Sequence, residues 1–331
     1  MGCFLFVSEL QPAATPPVES GAVIKWTASM RGRALLYPSW LIPYKPLVPL
    51  DILIERINSI YHSFDAERYD SEVIELRRTW PALWAEMLQQ LPPRKCWRIL
   101  DFGCGTGFEA GQTIRFLGDK ISVLMAYDPS PNMLGQARAR IMDPRIVFTC
   151  DESSIWSRAP YDLLITNSVL HHLPAIPDFR RYTAENAYWL AGNEPSSRFY
   201  ANPECVRLSC EYATHQERMK WLRPSRYVDK IKSMLHLDSL SKTADVAHKR
   251  RLLAVRPHPD IVSRLVDFRV RDGFDLATMN PGWRATWRKT YSYLGPFSEV
   301  RAPRKWRQRA EQLQGKFPED GACFCAVWQR L

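Results

Sequence analysis

At 331 residues and 46% hydrophobic side chains, the chain is long enough for one large domain or one domain with a substantial insertion, and its composition excludes a disordered polymer. No run approaches the roughly 18–20 apolar residues of a membrane span. The formal charge is +10, and residues 215–310 carry 22 Lys and Arg against nine Asp and Glu. Those basic residues are spread over many turns, which fits a solvated helical surface better than a nucleic-acid face.

The eight cysteines have no framework spacing. Cys323 and Cys325 alternate on one face of an expected strand, as buried thiols do in a reducing cytosol, so a cytoplasmic location is expected. No second pair or nearby histidine completes a metal site around them.

Taken in order, residues 1–30 read as a disordered leader. Met1–Val7 is apolar but lacks a basic start, Phe6 breaks the myristoylation pattern, and Met30 is an alternative start. Residues 31–95 form a strap and helical cap. Four prolines (Pro38, Pro43, Pro46 and Pro49) exclude helix from 32–50. Asp51 caps a helix to about Tyr61, Ser71 caps a second, and Thr79 with Pro81 in its first turn starts a third that ends near Leu91.

From 96 to 202 strands and helices alternate. Strands are expected at Trp97–Phe102, Ile121–Tyr127, Ile146–Cys150, Asp162–Thr166 and Ala187–Ala191, which implies right-handed crossovers and a parallel sheet covered on both faces. Ligands of such sheets lie beyond the carboxyl ends of the strands. Gly103–Gly107, Asp128, Asp151, Asn167 and Glu194 should therefore share one rim.

Residues 203–295 read as a helical insertion, with helical periodicity at Thr214–Leu222, Tyr227–Leu237, Ala244–Val255 and Trp283–Leu294. Residues 296–331 complete the core with an edge strand at Phe297–Val300, a helix at Arg304–Leu313 and a last strand at Cys323–Gln329.

The organising stretch is Arg98–Phe108, a buried strand breaking into Gly103, Gly105 and Gly107 before a helix. Glycines there permit turns closed to other residues and let a ligand reach the main chain. A dinucleotide fingerprint requires glycine at 108, where the chain has Phe108. This shorter loop, preceded by Asp101 and followed by Asp128 at the end of the next strand, by Asp151, and by the run Tyr161–Leu173, resembles motifs I to IV of the class I S-adenosylmethionine (SAM)-dependent methyltransferases.

The resemblance implies a Rossmann-like α/β fold, with seven mostly parallel strands, an antiparallel last strand and a helical lid. It also implies SAM as cofactor and S-adenosylhomocysteine as product. The loop Gly103, Cys104, Gly105, Thr106 and Gly107, with Asp101 before it, would hold the methionine end at unpaired N–H groups of the following helix. Asp128 would accept the ribose hydroxyls, with Pro129 and Met133 beside the adenine. Asp151, with its neighbour Glu152, would take the adenine amino group, and Asn167 and Ser168 would line the route to the methyl. Tyr61, Phe64 and Tyr69 would be lid aromatics, since aromatic faces attract a sulfonium cation.

Glu194, ending the fifth strand, is a candidate base on the acceptor side, with an ion pair to Arg198 as the alternative. His172 and His171 are further candidates. His215, His248, Asp267 and Asp275 are weaker ones in the insertion. The acceptor expected is a small organic molecule methylated at oxygen or nitrogen. A nucleic-acid substrate is disfavoured because Asn167-Ser-Val-Leu170 lacks the Pro-Pro-aromatic signature of base-amine methylation. A SAM-binding protein with a non-methylating or non-catalytic role is the further alternative.

Overall fold

The computed structural model describes residues 58, 62, 66–67, 69–70, 74–173, 175–221, 273–275, 280–296 and 302–331. The leader, the strap, most of the helix expected at 51–61, Tyr61, Phe64, the expected helices at 227–237 and 244–255, His248, Asp267 and the expected strand at 297–300 lie outside these residues.

The first described helix, α1 (Ile74–Leu88), is one helix running through Pro81, where the sequence predicts a break. Proline removes one backbone bond. Trp80, Trp84, Met87 and Leu88 are all buried, and each large apolar side chain removed from water contributes about 1.5–3 kcal/mol, which offsets that loss.

Strands and helices then alternate as β1 (Trp97–Phe102), α2 (Phe108–Leu117), β2 (Ile121–Tyr127), α3 (Pro131–Arg140), β3 (Ile146–Thr149), the short α4 (Ser153–Trp156), β4 (Tyr161–Asn167) and β5 (Thr183–Pro195). After α5 (Ser197–Ala201) and α6 (Pro203–Trp221) come β6 (Trp283–Tyr291), α7 (Arg304–Lys316) and β7 (Cys323–Arg330). The seven strands form one sheet in the order β3-β2-β1-β4-β5-β7-β6. β1 to β5 pair in parallel, and β7 runs antiparallel to both β5 and β6. The sheet order therefore reverses at β1, where β1 lies between β2 and β4, and opens a crevice there.

Strand alternation divides the core into two layers. Ile99, Leu124, Leu163, Leu190 and Val327 face α1 and α2, in one cluster with Trp84, Met87 and Ala110. Leu100, Met125, Leu164, Trp189 and Phe324 face the opposite side with Ile155 and Phe179. Both faces are covered by buried apolar side chains, as a parallel sheet requires. A third cluster joins Phe199, Leu208 and Tyr212 to Tyr293, Leu294 and Ala310.

The segment Trp283–Tyr291 is a strand and not the helix expected at Trp283–Leu294. Its pairing with β7 slips between Ala285 and Trp287, which breaks the period-two pattern. As an edge strand it exposes Arg284, Arg288 and Lys289, and charge there discourages pairing with another chain. Lys289 pairs with Glu86 at 2.9 Å and Arg288 with Glu319 at 2.9 Å.

Candidate active site

Beyond the carboxyl ends of β1, β2, β4 and β5 lies a cavity of about 370 Å³, within the size range of small-molecule sites. Its floor is the glycine turn. The N–H groups of Gly103 and Cys104 both donate to the Tyr127 carbonyl at 2.8 Å, which folds the turn over the end of β2. Gly103 has φ +77°, and a Cβ there would sit 2.5 Å from Val169 Cγ2. Gly105, at φ +52°, would place a Cβ in open space. The first position is closed by packing and the second faces room for a ligand.

Asp128 is 8% exposed and lines the cavity. Its Oδ2 accepts the Gly105 N–H at 2.8 Å and its Oδ1 the Ser130 N–H at 2.8 Å. A carboxylate oxygen has two acceptor directions, so each retains capacity for a ligand hydroxyl. Burial outweighs the two backbone bonds and pushes its pKa up to about 6. Pro129, Met133 and the rings of Phe102 and Tyr127, 5.1 Å apart, continue this wall.

Elsewhere on the wall, Glu109 in the first turn of α2 accepts the Asn167 amide at 2.6 Å. Asn167 Oδ1 and the Trp80 indole Nε1 are buried without a hydrogen-bond partner among the described residues, and both residues line the cavity. Buried polar atoms left unpaired cost about 1–3 kcal/mol, so these two fit a site completed by a ligand. Among the described wall residues are the carboxylates Glu109, Asp128 and Glu152, with no Lys or Arg. Such a cavity suits a cation.

The placement of the expected residues is uneven. Tyr69, Gly103, Cys104, Gly105, Thr106, Asp128, Pro129, Met133, Glu152, Asn167, Ser168 and His172 all line the cavity. Thr106 Oγ1 donates to Asp70 Oδ1 at 2.7 Å, and Arg140, at the end of α3, bonds both the Thr106 carbonyl at 3.0 Å and the Asp70 carboxylate. Tyr69 is thereby tethered beside the glycine turn. Gly107 is the N-cap of α2, in the left-handed region at φ 77°.

Asp101 lies beneath the turn, 1% exposed, and outside the cavity wall. Burial, then the charges of Glu109 and Asp128, raise its pKa well above the usual carboxylate range. Burial likewise raises that of Cys104, which keeps it a thiol. Asp151 is exposed and caps α4, accepting the Ser153 N–H at 2.9 Å and the Ser154 hydroxyl at 3.0 Å. Its neighbour Glu152 takes the place in the wall, fixed by the Tyr182 hydroxyl at 2.8 Å.

Glu194 and His171 correct the expectation most clearly. Glu194 is fully buried and does not line the cavity. Its Oε1 accepts the N–H groups of Val169 and Leu170 at 2.8 and 2.9 Å. Its Oε2 meets the His171 N–H at 3.1 Å and His171 Nδ1 at 2.8 Å. Arg198 pairs instead with Glu319 and Asp320. His172 alone of the two histidines reaches the cavity, its ring 4.1 Å from that of His171 and 4.9 Å from that of His62. His215 packs on Trp306 at 5.3 Å, away from the cavity, and Asp275 is exposed and also outside its wall.

Several wall residues escape sequence reasoning: Asn58, His62, Trp80, Glu109 and Asn193. Glu109 was detectable as the first acid after the glycines. Asn193 sits at φ 54°, in a β5 irregularity that turns it into the cavity while Glu194 turns inward; nothing local announces that.

Residues 100–190 match the sequence profile described as a methyltransferase domain. The chain is 34% identical over 95 residues to a trans-aconitate 2-methyltransferase of Mycolicibacterium gilvum, and 37% identical over 102 residues to one of Rhizobium leguminosarum bv. trifolii. These alignments cover 28% and 30% of this chain and 34% and 37% of those relatives, so about a third of each curated relative is matched. The N-methyltransferase NodS from Bradyrhizobium japonicum, solved with S-adenosyl-L-homocysteine, overlaps 76% of this chain and 86% of its own at 11% identity with a TM-score of 0.35. Residues 100–190 thus carry a methyltransferase domain, and the glycine turn, the β2 carboxylate and the strand order around it are those expected of the class I SAM-dependent type.

Proposed function

We propose that this protein transfers a methyl group from SAM to an oxygen or nitrogen of a small organic acceptor. The observation that carries the reading is Asp128, held by two backbone N–H groups beside an open glycine turn, in a cavity with three carboxylates and no cationic side chain along its described wall. Asp128 is the ribose-binding group, Phe102, Pro129 and Met133 flank the adenine, and Glu152 lies within reach of its amino edge. Glu109 and Asn167 accommodate the ammonium of the methionine end.

When bound, SAM supplies a methyl carbon whose bond to the sulfonium sulfur breaks as the acceptor–methyl bond forms, the electron pair staying on sulfur. The protein has to align the acceptor lone pair and exclude water. His172, which lines the cavity beside His62, is the group placed to take an acceptor proton and pass it to water, and Glu194, outside the wall, is not. Acceptors of the trans-aconitate type, on which the two relatives act by name, belong in the first screen beside phenols and amines. The test is transfer of labelled methyl from SAM to that panel, with release of S-adenosylhomocysteine. Turnover of a small acceptor that falls sharply in His172→Ala is expected; full turnover in that variant would remove the assigned base.

A further inference from the structure

We propose that Glu194 is a positioning residue that sets the acceptor side of the cavity by acting as an N-terminal cap, from a distant strand, for the turn that carries His172. This rests on the methyltransferase reading for its functional meaning, but its geometry is independent of any ligand.

One carboxylate receives four donors: three consecutive backbone N–H groups, Val169, Leu170 and His171, and the His171 ring. Those N–H groups open the 3-10 turn Leu170–His172, and the first N–H groups of a helical turn have no partner of their own. No side chain of the turn's own leading residue caps it. Glu194 supplies the missing acceptor from 23 to 25 residues away in sequence. A carboxylate accepts and does not donate when ionised, so His171 carries its proton on Nδ1. The His171 ring is then fixed, and it packs against the His172 ring with centroids 4.1 Å apart and planes tilted by 47°.

The backbone on either side of the clamp is held in an uncommon shape. Ser168, just before the clamped segment, has φ 55°, and Asn193, just before Glu194, has φ 54°. Non-glycine residues persist there only when surroundings over-determine them. The clamp provides that constraint on one side, and Val169 packed against Gly103 provides it on the other. Ser168, Val169, His172 and Leu173 all line the cavity, so the wall on this side depends on a carboxylate that never touches a ligand. The His172 carbonyl also accepts from Asn58 Nδ2 at 3.3 Å, which ties the same turn to the N-terminal segment.

The test uses the full chain saturated with S-adenosylhomocysteine. Glu194→Gln keeps the shape and one acceptor oxygen but presents an amide NH2 where the His171 N–H and ring N–H both donate. The expected result is that amide exchange at His171 accelerates about tenfold or more, the size of one lost hydrogen bond, while Val169 and Leu170 keep the remaining oxygen as acceptor. Exchange in β4 at Leu163–Ile165 stays unchanged. The His172 ring resonances change from one set to several, while affinity for S-adenosylhomocysteine is kept. Unchanged His172 resonances in a folded variant would overturn the proposal, since a purely stabilising Glu194 would lower the melting temperature without moving that ring.

If Glu194→Gln does not fold, the wild type still decides. A slowly exchanging His171 Nδ1 proton and protected amides at 169–171 are required, and rapid exchange of these groups refutes the clamp. Failure to bind S-adenosylhomocysteine at all, with the clamp intact by exchange, would instead count against the methyltransferase reading.

Discussion

The pH dependence of cofactor affinity follows from Asp128. Burial holds its pKa at about 6, against about 3.9 in an unfolded chain. A carboxyl group whose folded pKa is raised contributes stability that is fully present below about pH 4 and is lost as pH rises through 6. The whole swing is roughly 2 pKa units, or about 3 kcal/mol. With the proposed ribose contact, cofactor binding has the opposite sign, because hydroxyls would donate to the ionised form. At pH 5 only about a tenth of the group is ionised, so affinity for S-adenosylhomocysteine should be about tenfold weaker than at pH 7. Calorimetric titration at pH 5, 6 and 7 measures this directly. In Asp128→Asn the dependence should flatten and affinity at pH 7 should fall. An undiminished tenfold dependence in that variant would show that another group titrates and that Asp128 does not hold the ribose.

Two glycines of the same domain should respond in opposite directions. Gly103→Ala forces a Cβ against Val169 at 2.5 Å in a left-handed backbone, which should cost about 2–4 kcal/mol in thermal unfolding and lower cofactor affinity. Gly135→Ala, inside α3 with nothing within 4 Å of the added carbon, should raise stability by about 0.5–1 kcal/mol. Trp84→Phe loses the 3.1 Å bond from Nε1 to Thr113 Oγ1 between α1 and α2. Denaturant unfolding should show a loss of about 1–3 kcal/mol.

The parallel core was legible because its physics is local. β1 occupies Trp97–Phe102 as the apolar run indicated, and the glycine break and Asp128 lie on the rim that strand alternation assigns. Legibility failed where tertiary contacts override local rules. Pro81 looks like a helix start, yet α1 continues because Trp80 and Trp84 are buried on the sheet. Trp283–Tyr291 has helix-like spacing of its aromatics, but pairing with β7 makes it a strand and a register slip hides the alternation.

Glu194 shows the same limit at the site. Its position at the carboxyl end of a strand was readable, and that end does face the cavity through Asn193. The left-handed φ at Asn193 turns the next side chain away, so the carboxylate serves three backbone N–H groups and not a substrate. His62 and Asn58 reach the wall from a segment distant in sequence, which no local pattern could reveal.

The most direct measurement is calorimetric titration of the purified, ligand-free chain with SAM and with S-adenosylhomocysteine. Saturable binding of one molecule per chain, abolished or strongly weakened in Asp128→Ala, is the predicted result. A folded chain that binds neither compound would contradict the assignment of this cavity as the cofactor site.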